Sequence, residues 1–223
     1  MEKIIHSTRS SGLLAAAGQG TRLGLGPKAF LKLGRRTLLE IATSKLIEVC
    51  DQVVVAAPPG LADHAARLLP SEVEIIEGGE SREDTLMKLA AVATGELLLY
   101  QFVARPFASA KLHRAVLKAA EAQGAATACV RHSAPIGLFG DGHITLPNDH
   151  AHLRAFQTPR AIRRDILLKA RNHAEPTGLD ICTPYQTPLA AVAGEASNIK
   201  ITSRLDWDIA RKVIAPRLGL DLM

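Results

Sequence analysis

The chain has 223 residues, of which 47% are hydrophobic and 22% charged, a composition typical of a globular protein with a sizeable core. Its net charge of +5 suits a nucleic acid or a small phosphorylated ligand, but the few aromatic residues, 4%, and the scattered lysines and arginines disfavour nucleic acid. No apolar run approaches the roughly 20 residues of a membrane span, and no export signal is recognisable. We therefore expect a cytoplasmic protein with no nucleic-acid or membrane partner.

Short runs rich in Val, Leu and Ile alternate with longer segments of helical period. This alternation predicts an α/β fold of the Rossmann-like type, with a central, mostly parallel sheet covered by helices, in a single domain over residues 1–223. The predicted strands occupy residues 12–16, 52–57, 73–77, 97–102, 126–131 and 189–192. The predicted helices occupy residues 37–50, 63–69, 82–93, 108–123, 160–173 and 205–216.

Residues 134–156 interrupt the alternation with several glycines and prolines, and only residues 143–146 have a strand-like pattern. We expect this segment to leave the domain as a protruding β-arm. Three histidines and two aspartates of the segment could form a transition-metal site, although their spacing fits no metal motif and a solvated polar arm is the simpler interpretation. They are His143, His150, His152, Asp141 and Asp149. The cysteines Cys50, Cys129 and Cys182 have no C-x-x-C spacing, which predicts three core thiols.

A glycine-rich segment directly follows the first predicted strand. It reads Ala15-Ala16-Ala17-Gly18-Gln19-Gly20-Thr21-Arg22-Leu23-Gly24 and continues to Gly26-Pro27-Lys28. Glycines let several backbone N–H groups point at phosphate oxygens, while Arg22 and Lys28 supply positive charge. The segment is neither a complete dinucleotide-binding fingerprint nor a P-loop. We interpret it as a cradle for a nucleoside triphosphate, because a simple tight turn would not explain the two cations.

This loop resembles the G-x-G-x-R-x(n)-P-K signature of sugar-nucleotide pyrophosphorylases and cytidylyltransferases. Four further segments resemble, in order and spacing, the bacterial 2-C-methyl-D-erythritol 4-phosphate cytidylyltransferases of isoprenoid biosynthesis. They are Gly78-Gly79-Glu80-Ser81-Arg82-Glu83-Asp84-Thr85, Val103-Ala104-Arg105-Pro106-Phe107, Gln157-Thr158-Pro159 and Asn198-Ile199-Lys200-Ile201-Thr202. The resemblance covers nearly the whole chain, and five motifs in the same order are far more specific than one.

The resemblance implies a homodimer that exchanges arms and a Mg²⁺-dependent transfer of CMP from CTP to a small polyol phosphate, with release of pyrophosphate. It implies catalytic roles for Arg22, Lys28 and Lys200. The residues that it implies for binding the nucleotide or organising its site are Ala15, Ala16, Ala17, Gly18, Gly20, Gly79, Arg82, Thr85 and Arg105. His150 and Thr158 would contact the acceptor, and no residue is assigned as a metal ligand.

Several positions depart from the family's pattern. Phe102 stands where the family has an aspartate that helps to hold magnesium, and a phenyl ring cannot ligate a hard cation. Ala134-Pro135 replaces an Asp-Thr pair whose threonine contacts the substrate, and His150 replaces an arginine of the arm. The nucleotide half of the site is thus largely kept and the acceptor half is altered.

These departures leave alternatives open beside the isoprenoid reaction. One is a cytidylyltransferase for another acceptor, such as ribitol phosphate or a phosphonate. Another is a relative that binds nucleotide with weak or no catalysis, and a third, a nicotinamide-dependent oxidoreductase, is disfavoured by the incomplete fingerprint.

Some of the motif residues also have simple structural interpretations. Lys200 could be a solvated lysine at a sheet edge, and Arg82 could pair with acidic neighbours on its own helix. Arg105-Pro106 could be a turn after a strand, and Thr158-Pro159 could begin a helix with the threonine as its cap.

Overall fold

A computed structural model describes residues 8–132, 136–146, 152–170 and 188–220. The strands are β1 (Ser10–Ala15), β2 (Lys32–Leu33), β3 (Arg36–Thr37), β4 (Gln52–Ala57), β5 (Glu74–Glu77), β6 (Leu97–Phe102), β7 (Ala125–Arg131), β8 (Leu138–Gly140), β9 (His143–Thr145), β10 (Arg154–Arg163) and β11 (Ala190–Ala193). The helices are α1 (Leu38–Val49), α2 (Ala62–Ala66), α3 (Arg82–Val92), α4 (Ala110–Gln123), α5 (Arg164–Ala170), α6 (Arg204–Ile209) and α7 (Ala215–Arg217). A single 3₁₀ turn covers Lys28–Phe30, and a π-helical turn, Ala210–Ile214, joins α6 to α7.

Seven of these strands form one sheet in the order β11-β7-β10-β6-β1-β4-β5. Strand β1 lies inside the sheet next to the central strand β6, and it is parallel to β4 on one side and to β6 on the other, with Leu13 opposite Val54 and Tyr100. Strand β10 is antiparallel to both of its neighbours, β6 and β7. The predicted α/β fold with a mostly parallel central sheet is therefore confirmed.

Both faces of the sheet are buried, as the nearly continuous apolar strands predict. The neighbouring residues Leu13 and Leu14 of β1 point to opposite faces, and both are 0% exposed. Leu14 packs in the cluster that contains α1 and α4, whereas Leu13 packs with Leu89 of α3. Because β1, β4 and β6 are parallel, their carboxyl ends lie along the same edge of the sheet, which is where α/β folds bind ligands.

Helix termini follow local sequence signals. Thr37 and Glu40 form a reciprocal capping box at the start of α1, and the Ser81 hydroxyl accepts a hydrogen bond from the backbone N–H of Asp84 at the start of α3. The cap at Ser81 fixes where α3 begins and so orients its first residue, Arg82, whose side chain enters the site described below.

The prediction of a helix over residues 160–173 is wrong at its beginning. Residues 160–163 belong to β10, a strand that the sequence pattern misses because buried polar residues, Gln157, Thr158 and Arg160, break its apolar run. Thr158-Pro159 therefore lies inside a strand and does not begin a helix. Helix α5 follows at Arg164, and residues 171–173 lie outside the described residues.

Strands β8 and β9 form a two-stranded hairpin, which confirms a β-arm, but the expected bounds of 134–156 are wrong at their end because residues 154–156 pair with β7 as part of β10. Its apolar side chains are exposed: Phe139 is 78% and Ile144 is 72% accessible. Residues 133–135 and 147–151 of the segment, including Ala134-Pro135 and His150, lie outside the described residues. In the part of the chain that the structure describes, no three His, Cys, Asp or Glu side chains are grouped as a metal site requires.

Two of the three cysteines, Cys50 and Cys129, are buried, whereas Cys182 lies outside the described residues. None of the helices among residues 8–132, 136–146, 152–170 and 188–220 is long and apolar enough to cross a membrane.

Candidate active site

A pocket of about 500 Å³ opens at the carboxyl ends of β1 and β6. Its walls are the glycine-rich loop after β1, the turn that precedes α3, the end of β6, and Lys200 in the segment between β11 and α6. The sequence-predicted site residues that line it are Ala15, Ala17, Gly18, Gly20, Arg22, Lys28, Gly79, Arg82, Thr85 and Lys200. Residues that are far apart in the chain thus converge on one concave surface, as a ligand site requires.

The glycine-rich loop owes its shape to Gly20. This residue has φ of 71°, and a Cβ atom there would lie 2.2 Å from the carbonyl oxygen of Gly26. The Gly20 carbonyl accepts hydrogen bonds from the N–H groups of Leu23 and Gly24 at 2.9 and 3.2 Å, which closes the turn. Ala16 is buried and donates to the Ala56 carbonyl, so it supports the loop from β4 and does not line the pocket.

Lys28 connects this loop to the far end of the chain. Its Nζ donates a hydrogen bond to the backbone oxygen of Ile201 at 2.9 Å. Desolvation lowers the pKa of Lys28 below its ordinary 10.5, the positive charges of Arg22 and Arg82 lower it further, and Asp206 partly offsets these effects. Lys28 therefore lies among other positive charges that repel it, and an anion bound in the pocket would reduce this repulsion.

The Gly78-Gly79 turn forms the opposite wall. A Cβ atom on Gly78 would lie 2.1 Å from the Cβ of Ala17, so the absence of a side chain permits this close approach of the two loops. The Thr85 hydroxyl accepts from the N–H of Gly79 at 2.9 Å and donates to the Ser81 carbonyl at 2.8 Å. Thr85 therefore fixes the turn, and it lies at the floor of the pocket with 5% exposure.

Phe102 lies at the end of β6 between two cationic side chains. Lys200 Nζ is 5.0 Å and Arg82 Cζ is 5.9 Å from the centroid of its ring. Lys200 is half-buried and lines the pocket, so it is not a solvated lysine at a sheet edge. The acidic neighbour Asp84 forms its described ion pair with Lys88, while Arg82 lies over the ring.

Arg105 does not line the pocket. Its Nη1 donates to the backbone oxygen of Asn198 at 2.6 Å, and its Nη2 donates to that of Phe156 at 3.3 Å. Its own N–H donates to the Phe102 carbonyl, so Arg105-Pro106 also forms the turn that the simple structural interpretation expects. Arg105 therefore organises the segment that carries Lys200 and does not face the space a nucleotide would occupy.

Buried amide side chains, to which the sequence alone assigns no role, complete this support. Asn198 Nδ2 donates to the Thr158 carbonyl at 2.8 Å and to Gln157 Oε1 at 3.3 Å. Gln157 Nε2 donates to the Glu195 carbonyl at 2.9 Å. Asn198 and Gln157 each belong to one of the five motifs, and this membership is the one sequence signal that could have indicated their role.

The two residues assigned to the acceptor are placed differently. Thr158 is 1% exposed, and its hydroxyl accepts a hydrogen bond from the N–H of Phe102 at 3.3 Å, so it lies behind the pocket wall. His150 lies outside the described residues. Contact of either residue with an acceptor stays a prediction.

The sequence model of the 2-C-methyl-D-erythritol 4-phosphate cytidylyltransferase family matches residues 11–215. The chain belongs to this family. A cytidylyltransferase of this name from Deinococcus radiodurans is 37% identical over 92% of the chain and 89% of its own length. Another, from Thermus thermophilus, is 36% identical over 89% of the chain and 93% of its own length.

Solved structures agree with this assignment. The crystal structure of the 2-C-methyl-D-erythritol 4-phosphate cytidylyltransferase from Thermus thermophilus superposes with a TM-score of 0.76 at 32% identity, covering 92% of this chain and 98% of that one. A 4-diphosphocytidyl-2C-methyl-D-erythritol synthase from Anaerococcus prevotii has a TM-score of 0.80 at 21% identity, covering 92% and 95% of the two chains, and shows a shared fold. The five motifs of the cytidylyltransferase resemblance are therefore parts of a relationship along the whole chain.

Proposed function

We propose that this protein is a CTP-dependent cytidylyltransferase that transfers CMP to 2-C-methyl-D-erythritol 4-phosphate and releases pyrophosphate. The observation that carries the proposal is the convergence of four cationic side chains on a pocket built by a glycine-rich loop; they are Arg22, Lys28, Arg82 and Lys200. The nucleotide and the acceptor are those that the names of the relatives give.

The chemistry requires positioning and charge neutralisation more than covalent help. A phosphate oxygen of the acceptor attacks the α-phosphorus of CTP, a new P–O bond forms, and the bond to the bridging oxygen of the β-phosphate breaks. That oxygen leaves with its electron pair in pyrophosphate, and no proton transfer is needed because the attacking phosphate is already ionised. Arg22, Lys28 and Lys200 stabilise the negative charge that the transition state spreads over these oxygens.

The base is recognised by the wall opposite the cations. Backbone atoms of Ala15 and Gly79 line this wall, and the Thr85 hydroxyl, which pairs with the Gly79 N–H and the Ser81 carbonyl, fixes its shape. A site that pairs hydrogen-bonding edges of a base discriminates more strongly than an apolar slot does. We therefore assign cytosine selectivity to this wall.

Magnesium is expected from the resemblance, but the described walls do not fit a magnesium site. Mg²⁺ prefers several oxygen ligands in an octahedral arrangement. Among the described residues lining the pocket, Glu80 is the one acidic side chain and it is exposed, while Phe102 offers no donor atom. No step of the mechanism is accordingly assigned to a metal held by the protein.

We also propose that the protein is a homodimer and acts in the cytoplasm, where CTP is available. The β8–β9 hairpin supports the dimer, because exposed apolar side chains on a protruding element are typical of an interaction surface. The arm that carries this hairpin, without residues 154–156 of β10, would then reach the partner subunit.

The test is pyrophosphate release from CTP with a panel of acceptors that contains 2-C-methyl-D-erythritol 4-phosphate, ribitol phosphate and a phosphonate. We expect turnover with the first and its loss, by about 100-fold or more, in Lys28→Ala. Lys118→Ala, an exposed lysine on α4, is the matched control and should keep the wild-type rate. CTP binding without turnover on any acceptor would favour a noncatalytic relative and contradict the proposal.

A further inference from the structure

Phe102 is the unusual member of the pocket, since its aromatic ring stands among cations. Tyr100, which is 3% exposed, contacts the ring in a T-shaped arrangement, with centroids 5.0 Å apart and planes at 72°. The ring is therefore held by the core on one side, while Lys200 and Arg82 approach it on the pocket side. An aromatic face attracts cations through its quadrupole, but it does not neutralise their charge.

The pocket consequently keeps a large excess of positive charge. Its described walls carry four cationic side chains and one acidic side chain, Glu80, which is exposed. Desolvation is the largest cause of the lowered pKa of Lys28; the charges of Arg22 and Arg82 also lower it, and Asp206 partly offsets them, so Lys28 is repelled by both arginines. A carboxylate in the position of Phe102 would have relieved the repulsion by pairing with both neighbours.

This charge distribution selects among the ionic forms of a nucleotide. A metal-free triphosphate has a larger negative charge than its complex with a divalent cation, and the attraction of a cationic pocket increases with that charge. A divalent cation entering the pocket with the nucleotide would meet four positive side chains and a hydrocarbon ring, with Glu80 as the one carboxylate among the described lining residues.

We propose that this protein recognises CTP in its metal-free form, and that Arg82 and Lys200, held against Phe102, occupy the place of a protein-bound divalent cation. The proposal rests on the proposed use of CTP and adds the ionic form that the pocket selects. Phe102 is thereby a specificity-determining residue.

The first experiment is calorimetric titration of the wild-type protein with CTP, once with a chelator and once with excess magnesium. We expect a dissociation constant in chelator that is equal to, or smaller than, the constant in magnesium. Binding that weakens about tenfold or more in chelator would overturn this inference and leave the proposed function intact. Absence of CTP binding in both buffers would overturn the proposed function as well, so the two failures are distinguishable.

Two substitutions at Phe102 separate its charge effect from its packing. Phe102→Asp places a carboxylate between Lys200 and Arg82, and we expect metal-free CTP to bind about tenfold more weakly, with magnesium restoring affinity. Phe102→Leu keeps an apolar side chain without the quadrupole, and we expect binding about two- to fivefold weaker in both buffers, still without dependence on magnesium. Unchanged metal-free binding by Phe102→Asp would contradict the inference.

Manganese serves as a direct probe of a protein-held divalent site. We expect the electron paramagnetic resonance signal of free Mn²⁺ to be undiminished when wild-type protein is added without nucleotide. A loss of signal at stoichiometric protein would show that the protein itself holds the ion, and it would overturn the inference independently of any activity measurement.

Discussion

The guanidinium of Arg105 donates a hydrogen bond to the backbone oxygen of Asn198 at 2.6 Å, two residues before Lys200. The contact joins the turn after β6 to the segment between β11 and α6, and the N–H of Ile201 strengthens the junction by donating to the Ala104 carbonyl at 2.8 Å. The backbone that carries Lys200 is therefore held by a residue that does not line the pocket.

Arg105→Ala should reduce kcat by about tenfold or more while changing KM for CTP less, because small misplacements of a catalytic group are costly. A lysine amine cannot reproduce both hydrogen bonds of the guanidinium, to the backbone oxygens of Asn198 and Phe156, so Arg105→Lys should recover only part of the rate. Steady-state kinetics of both variants provides the measurement. Arg114→Ala, which breaks an ion pair with Glu48 outside the described pocket lining, is the control, and an equal loss there would argue for general destabilisation.

The lowered pKa of Lys28 predicts the alkaline limb of the pH profile. Lys28 carries its charge below its folded pKa and loses it as pH rises through that value, so kcat/KM for CTP should fall at a pH below the ordinary 10.5. Removing a repelling cation with Arg22→Ala should move the limb to higher pH. Lys28→Arg should abolish the limb over the same range, and a limb that persists unchanged would mean that another group titrates.

Gly20→Ala tests the turn of the glycine-rich loop. The added Cβ meets the Gly26 oxygen, and the positive φ is itself unfavourable for alanine by roughly 1 kcal/mol. We expect CTP affinity, measured by calorimetry, to fall about tenfold or more, since the loop must shift to remove the clash. Gly24→Ala isolates the conformational cost, because Gly24 also has positive φ but its Cβ would have no atom within 4 Å. Equal effects of the two substitutions would refute the role of the clash.

His113 predicts a loss of stability in acid. Desolvation lowers its pKa from 6.5 to about 4, although its Nδ1 donates to the Ser109 carbonyl. The unfolded chain binds a proton at this side chain below about 6.5 while the folded chain does not until about 4. Neutral His113 therefore makes its full contribution to the free energy of unfolding above the unfolded-state pKa of 6.5. This contribution falls with pH, and the loss is about 2 kcal/mol at roughly pH 5.

Urea unfolding of wild type and His113→Gln at a series of pH values checks this. The free energy of unfolding of the variant should decline less between neutral pH and about 5, since glutamine does not titrate. The other titrating groups contribute to both proteins and cancel in the comparison. Parallel profiles would show that His113 contributes nothing to the acid transition.

Phe139→Glu addresses the proposed dimer. The side chain is 78% exposed on the β8–β9 hairpin, so a charge there has little effect on the folded subunit but is costly in an apolar interface. We expect sedimentation to show a dimer for wild type and a shift toward monomer for the variant. Leu205→Glu, at an exposed leucine of α6, should remain dimeric. A monomeric wild type would rule out the arm as a dimer contact.

The sequence predicted the central elements well because their signals are local. Strands β4 and β6 have the predicted bounds, and the glycines and cations of the loop after β1 define one wall of the pocket. The sequence pattern misses strand β10 because three of its buried residues, Gln157, Thr158 and Arg160, are polar, and the side chains of Gln157 and Thr158 find hydrogen-bond partners in distant segments. Hydrophobic periodicity predicts the burial of apolar side chains. It does not predict the burial of polar side chains, which depends on hydrogen bonds formed in the folded chain.

The same limitation applied to the site. Residues with an obvious charge or conformational role, such as Lys28 and Gly79, were found and lie in the pocket. The amides Gln157 and Asn198 act through contacts to backbone oxygens that only the folded chain brings near. The neighbourhood of Phe102 was likewise beyond the sequence, which shows a missing carboxylate but not the two cations around the ring.

The hydrogen bond from Lys28 to Ile201 spans 173 positions of the chain. During synthesis on the ribosome, at about 5–20 residues per second, the loop with Lys28 therefore emerges roughly 10–35 s before its partner segment is made. Throughout that interval the nascent chain has the glycine-rich loop but neither Lys200 nor the backbone that anchors Lys28. The nucleotide pocket is thus complete only after residue 201 has been made, and CTP can bind the full set of cations and stabilise the fold only from that point.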